Sequence, residues 1–293
     1  MPVLLLFFAV LFWSGHNVVA KGIIEFVPPL SFTFARWFLA SLIILPIAWP
    51  HLRSDWQKAI QWWPRLLLIA ATGICAFNCL LYIALQTTSA VNVGLISSIF
   101  PVTIALFSHL ILNVSLSRPQ VIGMAICFMG VVVVIFRGNI SSVTTLEFVV
   151  GDLWMLLGVF CGALYPVLLH KKPDIHPLSL LAVLIILGAL TSLPLFLYEL
   201  VQGEYIQLNQ QVITGLIVIA IFPSVVSYMC WNRGIELVGA NHAGLFLNLV
   251  PILTAILAYI FIGEIISWYH YLGLFLIIGG IWLFNITRKQ SPA

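Results

Sequence analysis

The chain has 293 residues, 62% of them hydrophobic and only 7% charged, where an ordinary soluble protein carries about a quarter charged residues. A water-soluble fold is excluded, because so few ionic side chains cannot cover the surface and a mean hydropathy of +1.14 calls for lipid as the solvent. The net charge of +3 is too small for a nucleic-acid footprint, and five cysteines spread through apolar runs without a CxxC pair read as core residues, not as a disulfide frame or metal site.

Stretches of about 17 to 25 apolar residues mark membrane spans. Ten follow one another, at 3–22, 30–49, 65–86, 90–112, 119–136, 151–170, 178–198, 212–235, 241–262 and 269–287. The expectation is an all-α integral membrane protein. The first span has no basic leader and no small-residue cleavage site after it, so it reads as a retained helix. It places Trp13 and Asn17 on one face, with His16 and Lys21 nearby. The second carries Arg36 seven residues beyond Pro29, about 10 Å into the span. The segment from Trp49 to Arg65 reads as a break. Tyr82 lies in the third span, and Gly94, Ser97, Ser98 and Pro101 follow in the fourth. Tyr165 and the small-residue pair Gly158 and Gly162 lie in the sixth. The eighth supplies Tyr228, Trp231 and Asn232, and the ninth spaces Asn241, Gly244, Asn248 and Pro251 by three and four.

Sorting Lys and Arg over alternate connections puts nine on one side (Arg53, Lys58, Arg65, Arg118, Lys171, Lys172, Arg233, Arg288, Lys289) and two, Lys21 and Arg137, on the other. Basic residues accumulate in cytoplasmic loops, so both termini are expected in the cytoplasm. The acidic residues fall in loops or near span ends, Asp152 and Glu236 among them. A mid-membrane carboxylate relay for protons is therefore disfavoured. What remains is His16, charge borne by the solute, or uncoupled movement.

The chain repeats itself at an offset of about 150 residues. Ala90, Gly94, Leu95, Pro101 and Ala105 fall on Ala240, Gly244, Leu245, Pro251 and Ala255, and Ser117, Gly123 and Gly130 on Ser267, Gly273 and Gly280. Pro29-Leu30-Ser31 recurs as Pro177-Leu178-Ser179. Five spans per repeat is odd, so the second half, 141–293, enters the membrane inverted relative to the first, 1–140. Inverted repeats suit a carrier whose midplane site opens to each side in turn.

The run Trp13-Ser14-Gly15-His16-Asn17-Val18-Val19-Ala20-Lys21, then Pro29, Ala35-Arg36-Trp37-Phe38 and Ala40, and in the second half Gly162-Ala163-Leu164-Tyr165, Pro251, Gly263-Glu264, Gly273 and Gly279-Gly280, resembles the drug/metabolite transporter superfamily, specifically its EamA-type ten-helix members. The first half departs from the pattern, with Asn113-Val114 where the second has Gly263-Glu264. The resemblance implies a carrier of the cytoplasmic membrane, commonly an exporter of amino acids or other small metabolites, working by alternating access.

Polar groups deep in a span are costly unless they face a partner or a wet cavity. Trp13, His16, Asn17, Tyr82, Ser97, Ser98, Tyr165, Tyr228, Trp231 and Asn248 are therefore the candidate substrate-binding residues. Pro101 and Pro251 free carbonyls beside Ser98 and Asn248, though kinked packing faces explain the same pattern. The resemblance aligns His16 with Tyr165. His16 reads either as a proton carrier or as a neutral imidazole bonded between helices. Arg36 reads first as structural, snorkelling to the interface or bonded to carbonyls, and otherwise as meeting an anionic solute group. No HExxH, GxSxG or aspartate pair suggests an enzyme, and no cofactor or metal is expected. The expected partners are a small-molecule substrate, the bilayer and, through His16, protons. A channel and a non-transporting sensor or scaffold remain the competing readings.

Overall fold

The computed structural model describes residues 2–139, 148–238 and 246–286, and all regular structure among them is helical. In chain order the helices are α1 (Pro2–Ile23), α2 (Pro29–Gln61), α3 (Trp63–Ala70), α4 (Phe77–Thr87), α5 (Ala90–Ser97), α6 (Phe100–Leu112), α7 (Arg118–Ile135), α8 (Val150–Leu169), α9 (Pro177–Val201), α10 (Gln210–Ile221), α11 (Ser227–Val238), α12 (Leu249–Ile262) and α13 (Trp268–Ile286). One π turn, Ala71–Ala76, joins α3 to α4 and another, Phe222–Val226, joins α10 to α11. Among the described residues eight helical stretches are long and apolar enough to cross a membrane, and Leu249–Ile262 and Trp268–Phe284 are shorter apolar helices. The anticipated boundary at 140–141, and Asn241 and Gly244, lie outside the described residues.

The local signals explain the ends. Pro29 opens α2 and Pro177 opens α9, positions where a missing N–H costs nothing. Ser89 caps α5 by accepting from Asn92 N at 3.0 Å. The fourth span is interrupted at Ser98–Ile99, with Pro101 in the first turn of α6, where its ring meets no preceding turn. Asn113 and Gly263 end α6 and α12 in the left-handed conformation.

The expected break after Trp49 is absent. α2 runs unbroken through Pro46 and Pro50 to Gln61. The extension is held by the loop before α9: Asp55 Oδ2 accepts from His176 N at 2.9 Å, Lys58 Nζ donates to Asp174 O at 3.0 Å, and the His51 and His176 rings stack at 3.7 Å. These tertiary contacts outweigh the polar composition that reads as a loop.

α2 packs along α9 through Trp37, Ala40, Ile44, Leu181 and Ile185. α7 and α13 approach so closely that a Cβ on Gly123 would lie 2.6 Å from Gly280 O, and one on Gly280 2.6 Å from Gly123 O. Small residues let membrane helices bring their backbones together. Gly158 and Gly162 serve the same end inside the chain, facing Leu80, Phe77 and Phe100.

Candidate functional site

Arg36 is the centre of a deeply buried polar cluster. It is 3% exposed, two turns into α2, so it neither snorkels nor rests on backbone carbonyls. Its Nε donates to Ser224 Oγ at 2.7 Å, and Nη1 lies 2.6 Å from Asn78 Oδ1, 3.1 Å from Tyr82 Oη and 2.9 Å from His16 Nε2. His16 Nε2 is also 2.8 Å from Tyr82 Oη. These partners are all neutral, and among the described residues no carboxylate pairs with this guanidinium. A buried cation without a counter-charge is expensive, which makes Arg36 a candidate functional residue.

Both π turns build this cluster. Pro223 has no N–H to offer Ile219 O, and Ser224 Oγ takes that carbonyl at 2.9 Å while accepting from Arg36. Just past the other π turn, Asn78 Nδ2 donates to Ile74 O at 2.7 Å, which fixes the amide with Oδ1 toward Arg36. π turns inside α-helices are frequent at functional sites. Phe32 lies flat on Tyr82, centroids 4.0 Å apart, and holds the phenol in place.

A guanidinium only donates, so His16 Nε2 is an acceptor here and the imidazole is neutral, with its proton on Nδ1. This is the geometry of the bonded imidazole.

Beside the cluster stands an aromatic wall. Trp13 Nε1 donates to Pro223 O at 3.1 Å, and its ring meets Tyr228 edge-on at 5.6 Å and Trp231 at 5.3 Å. Tyr165 packs directly on Gly73 in the first π turn, which has no Cβ to obstruct the ring. Asn17 Nδ2 reaches Thr254 Oγ1 at 3.5 Å. Ser97 Oγ returns to Val93 O at 2.6 Å and Ser98 Oγ to Leu95 O, so both hydroxyls serve the interrupted helix. Asn248 is half-buried at the start of α12. Thus His16 and Tyr82 join Arg36, while Trp13, Tyr228 and Trp231 form the neighbouring wall. No hydrogen bond ties Asn17, Ser97 or Ser98 to the cluster.

The sequence reading missed Asn78 and Ser224. Pro223 followed by a serine inside an apolar span was the available signal for Ser224. A cavity of about 680 Å³ also opens between α1, α10 and α12, lined by Gly15, Val18, Gly22, Thr214, Val218 and Leu257. It is largely apolar and lacks the cluster's polar anchors.

A charged residue buried in a helical membrane bundle occurs on substrate and ion pathways, in proton relays and as a ligand counter-ion. The sequence model of the EamA-like transporter family matches residues 1–136 and 149–286, and the chain belongs to that family, within the drug/metabolite transporter superfamily. A Bacillus subtilis protein named uncharacterized transporter YyaM is 31% identical over 95% of this chain and 91% of its own length. An uncharacterized transporter of Archaeoglobus fulgidus is 25% identical, covering 98% of each chain. A solved crystal structure at 18% identity superposes with a TM-score of 0.66 over 99% of both chains, a likeness of fold.

Proposed function

We propose that this protein is a secondary carrier of the cytoplasmic membrane that exports small amphipathic metabolites bearing a carboxylate, amino acids or related compounds, by alternating access. The observation that carries this reading is Arg36, a buried guanidinium whose partners are all neutral. A solute carboxylate supplies the missing charge, and a planar guanidinium suits it. Trp13, Tyr228 and Trp231 offer the solute's apolar part a wall, as few-anchor aromatic pockets do. Asn17, Ser97, Ser98, Tyr165 and Asn248 complete the substrate-binding set in this reading.

The carrier is built as ten spans in two inverted five-helix repeats, 1–140 and 141–293, with both termini cytoplasmic. Support comes from features that recur about 150 residues apart: the π turns at 71–76 and 222–226, the helix starts at Phe100 and Leu249, and the left-handed ends at Asn113 and Gly263.

The test is counterflow in liposomes across labelled neutral and aromatic amino acids, their carboxamides, nucleobases and a quaternary-ammonium dye. Saturable exchange of the acids but not the carboxamides is expected. Equal exchange of acid and carboxamide would overturn the role of Arg36. Flux without saturation would indicate a channel, and no exchange by folded protein a sensor or scaffold.

A further inference from the structure

A second buried polar cluster lies at the end of the bundle where α1 finishes and α8 begins, and the transport site does not use it. Asp152, in the first turn of α8, is 0% exposed. Thr88 Oγ1 donates to its Oδ1, and Asn92 Nδ2 lies 3.0 Å from Oδ1 and 3.2 Å from Oδ2. Behind Asn92 stands His270 of α13, whose Nε2 is 3.0 Å from Asn92 Oδ1. His270 Nδ1 accepts from Ser267 N at 2.9 Å. Only one direction satisfies every member. The backbone N–H donates to His270, His270 Nε2–H to Asn92, and Asn92 to Asp152, so each bond points toward the carboxylate.

The chain of bonds crosses the junction of α4, α5, α8 and α13. It is reinforced where Glu264 accepts from Ala90 N at 2.8 Å and Val91 N at 3.0 Å. The junction is close-packed, since a Cβ on Gly151 would sit 2.5 Å from Ala84 O. A polar cavity of about 300 Å³ adjoins it, lined by Thr88 and Asn92 and by the charged or titratable Lys21, Arg137, Glu264, Tyr269 and His270. Lys21 is committed to Leu85 O at 2.8 Å. Every hydrogen-bond partner of Asp152 among the described residues is therefore uncharged, and polar space lies beside it.

We infer that Asp152 is a proton-binding site that latches this end of the bundle when ionised and releases it when protonated. The step moves one proton from water in the adjoining cavity to a carboxylate oxygen. A proton on Oδ2 puts a donor against the Asn92 amide donor 3.2 Å away, and the bonds that Oδ1 accepts from Thr88 and Asn92 fall from charge-assisted to neutral ones of about half the strength. The chain to His270 then ends on a weaker acceptor, and the hold of α5 on α8 and α13 loosens. A latch of this kind would let a proton gradient drive the carrier. That coupling rests on the carrier reading above, whereas proton binding and release do not.

The experiment is hydrogen exchange by mass spectrometry on the full-length protein in lipid nanodiscs, following residues 88–95, which contain the Ala90 and Val91 amides held by Glu264. Wild type should be protected at neutral pH and, after correction for intrinsic exchange, lose that protection in acid. Asp152→Asn, which mimics the protonated group, should exchange at least about tenfold faster at neutral pH, the equivalent of one charge-assisted hydrogen bond. Residues 181–192 of α9 serve as the fold control. Thr88→Val keeps the carboxylate and should open at a higher pH than wild type. Protection of residues 88–95 that is independent of pH, or equal in wild type and Asp152→Asn at neutral pH, would overturn the proposal. Failure of solute exchange alone would overturn the carrier reading and leave the latch standing.

Discussion

Arg36 Nη1 and His16 Nε2 lie 2.9 Å apart, twenty residues distant in the chain, with the histidine accepting from the guanidinium. A proton on Nε2 would set two donors against each other beside a fixed positive charge. His16 thus anchors Arg36 as an acceptor. Glutamine offers an amide oxygen in place of the ring nitrogen. His16→Gln should lower the transport rate yet keep the shape of its pH profile. A flattened profile, measured as initial uptake from about pH 5 to 8 where an unperturbed imidazole titrates, would return the proton to His16.

Arg36 answers two acceptors at once, Nε to Ser224 at 2.7 Å and Nη1 to Asn78 at 2.6 Å. Ser224 lies in one π turn and Asn78 just past the other, and only a fork spans them. A lysine ammonium is a point charge on a flexible stem and cannot reproduce that geometry. Arg36→Lys should reduce transport about tenfold or more, the equivalent of one lost charge-assisted bond. Wild-type exchange kinetics in Arg36→Lys liposomes would show that charge alone suffices.

Among the described residues eight membrane spans were legible, and two shorter apolar helices with them, because lipid demands long apolar runs, and the interruption near Pro101 was legible because proline cannot donate. His16 and Tyr82 stood out as polar groups in apolar surroundings. Asn78 and Ser224 did not, because their roles depend on π turns that shift the 3.6-residue period, and on Arg36 arriving from a helix 42 and 188 residues away. Arg36 itself was visible but read as structural, since nothing in the sequence reveals that its partners are all neutral. Glu264 stands where the first half has Val114. Its task is to cap the first turn of α5 from 174 residues away, a relation only the fold displays.

Gly280 permits the contact of α7 with α13. An alanine Cβ there would sit 2.6 Å from both Cys127 Sγ and Gly123 O, and a backbone oxygen cannot move aside as a flexible side chain can. Gly280→Ala should destabilise the protein by about 1–3 kcal/mol, the range for overpacking a close-packed interior. The neighbouring Gly279 has nothing within 4 Å of its would-be Cβ. Gly279→Ala is the control and should melt at or slightly above wild type, because alanine is the better helix former. Identical melting temperatures for the two variants in detergent would show that the helices separate without cost.

Glu199, at the end of α9, secures the start of the helix that carries Arg36. Its Oε1 accepts from Leu30 N at 3.0 Å, and its Oε2 from Ser31 N at 2.6 Å and Ser31 Oγ at 2.7 Å. A carboxylate at a helix N-terminus also meets the positive end of the helix dipole. Glu199→Gln keeps the size but turns an NH2 group toward one of these donors, leaving a donor unmet at a cost of about 1–3 kcal/mol. Arg36 follows Ser31 by five residues, so loosening the first turns of α2 shifts the guanidinium relative to Ser224 and Asn78. Glu199→Gln should therefore lower the melting temperature and transport together. Arg36→Lys leaves the cap intact and should lower transport with a smaller loss of melting temperature. If Glu199→Gln lost stability but transported normally, the site would not depend on how α2 is anchored, and Arg36 would be held in place by its cluster alone.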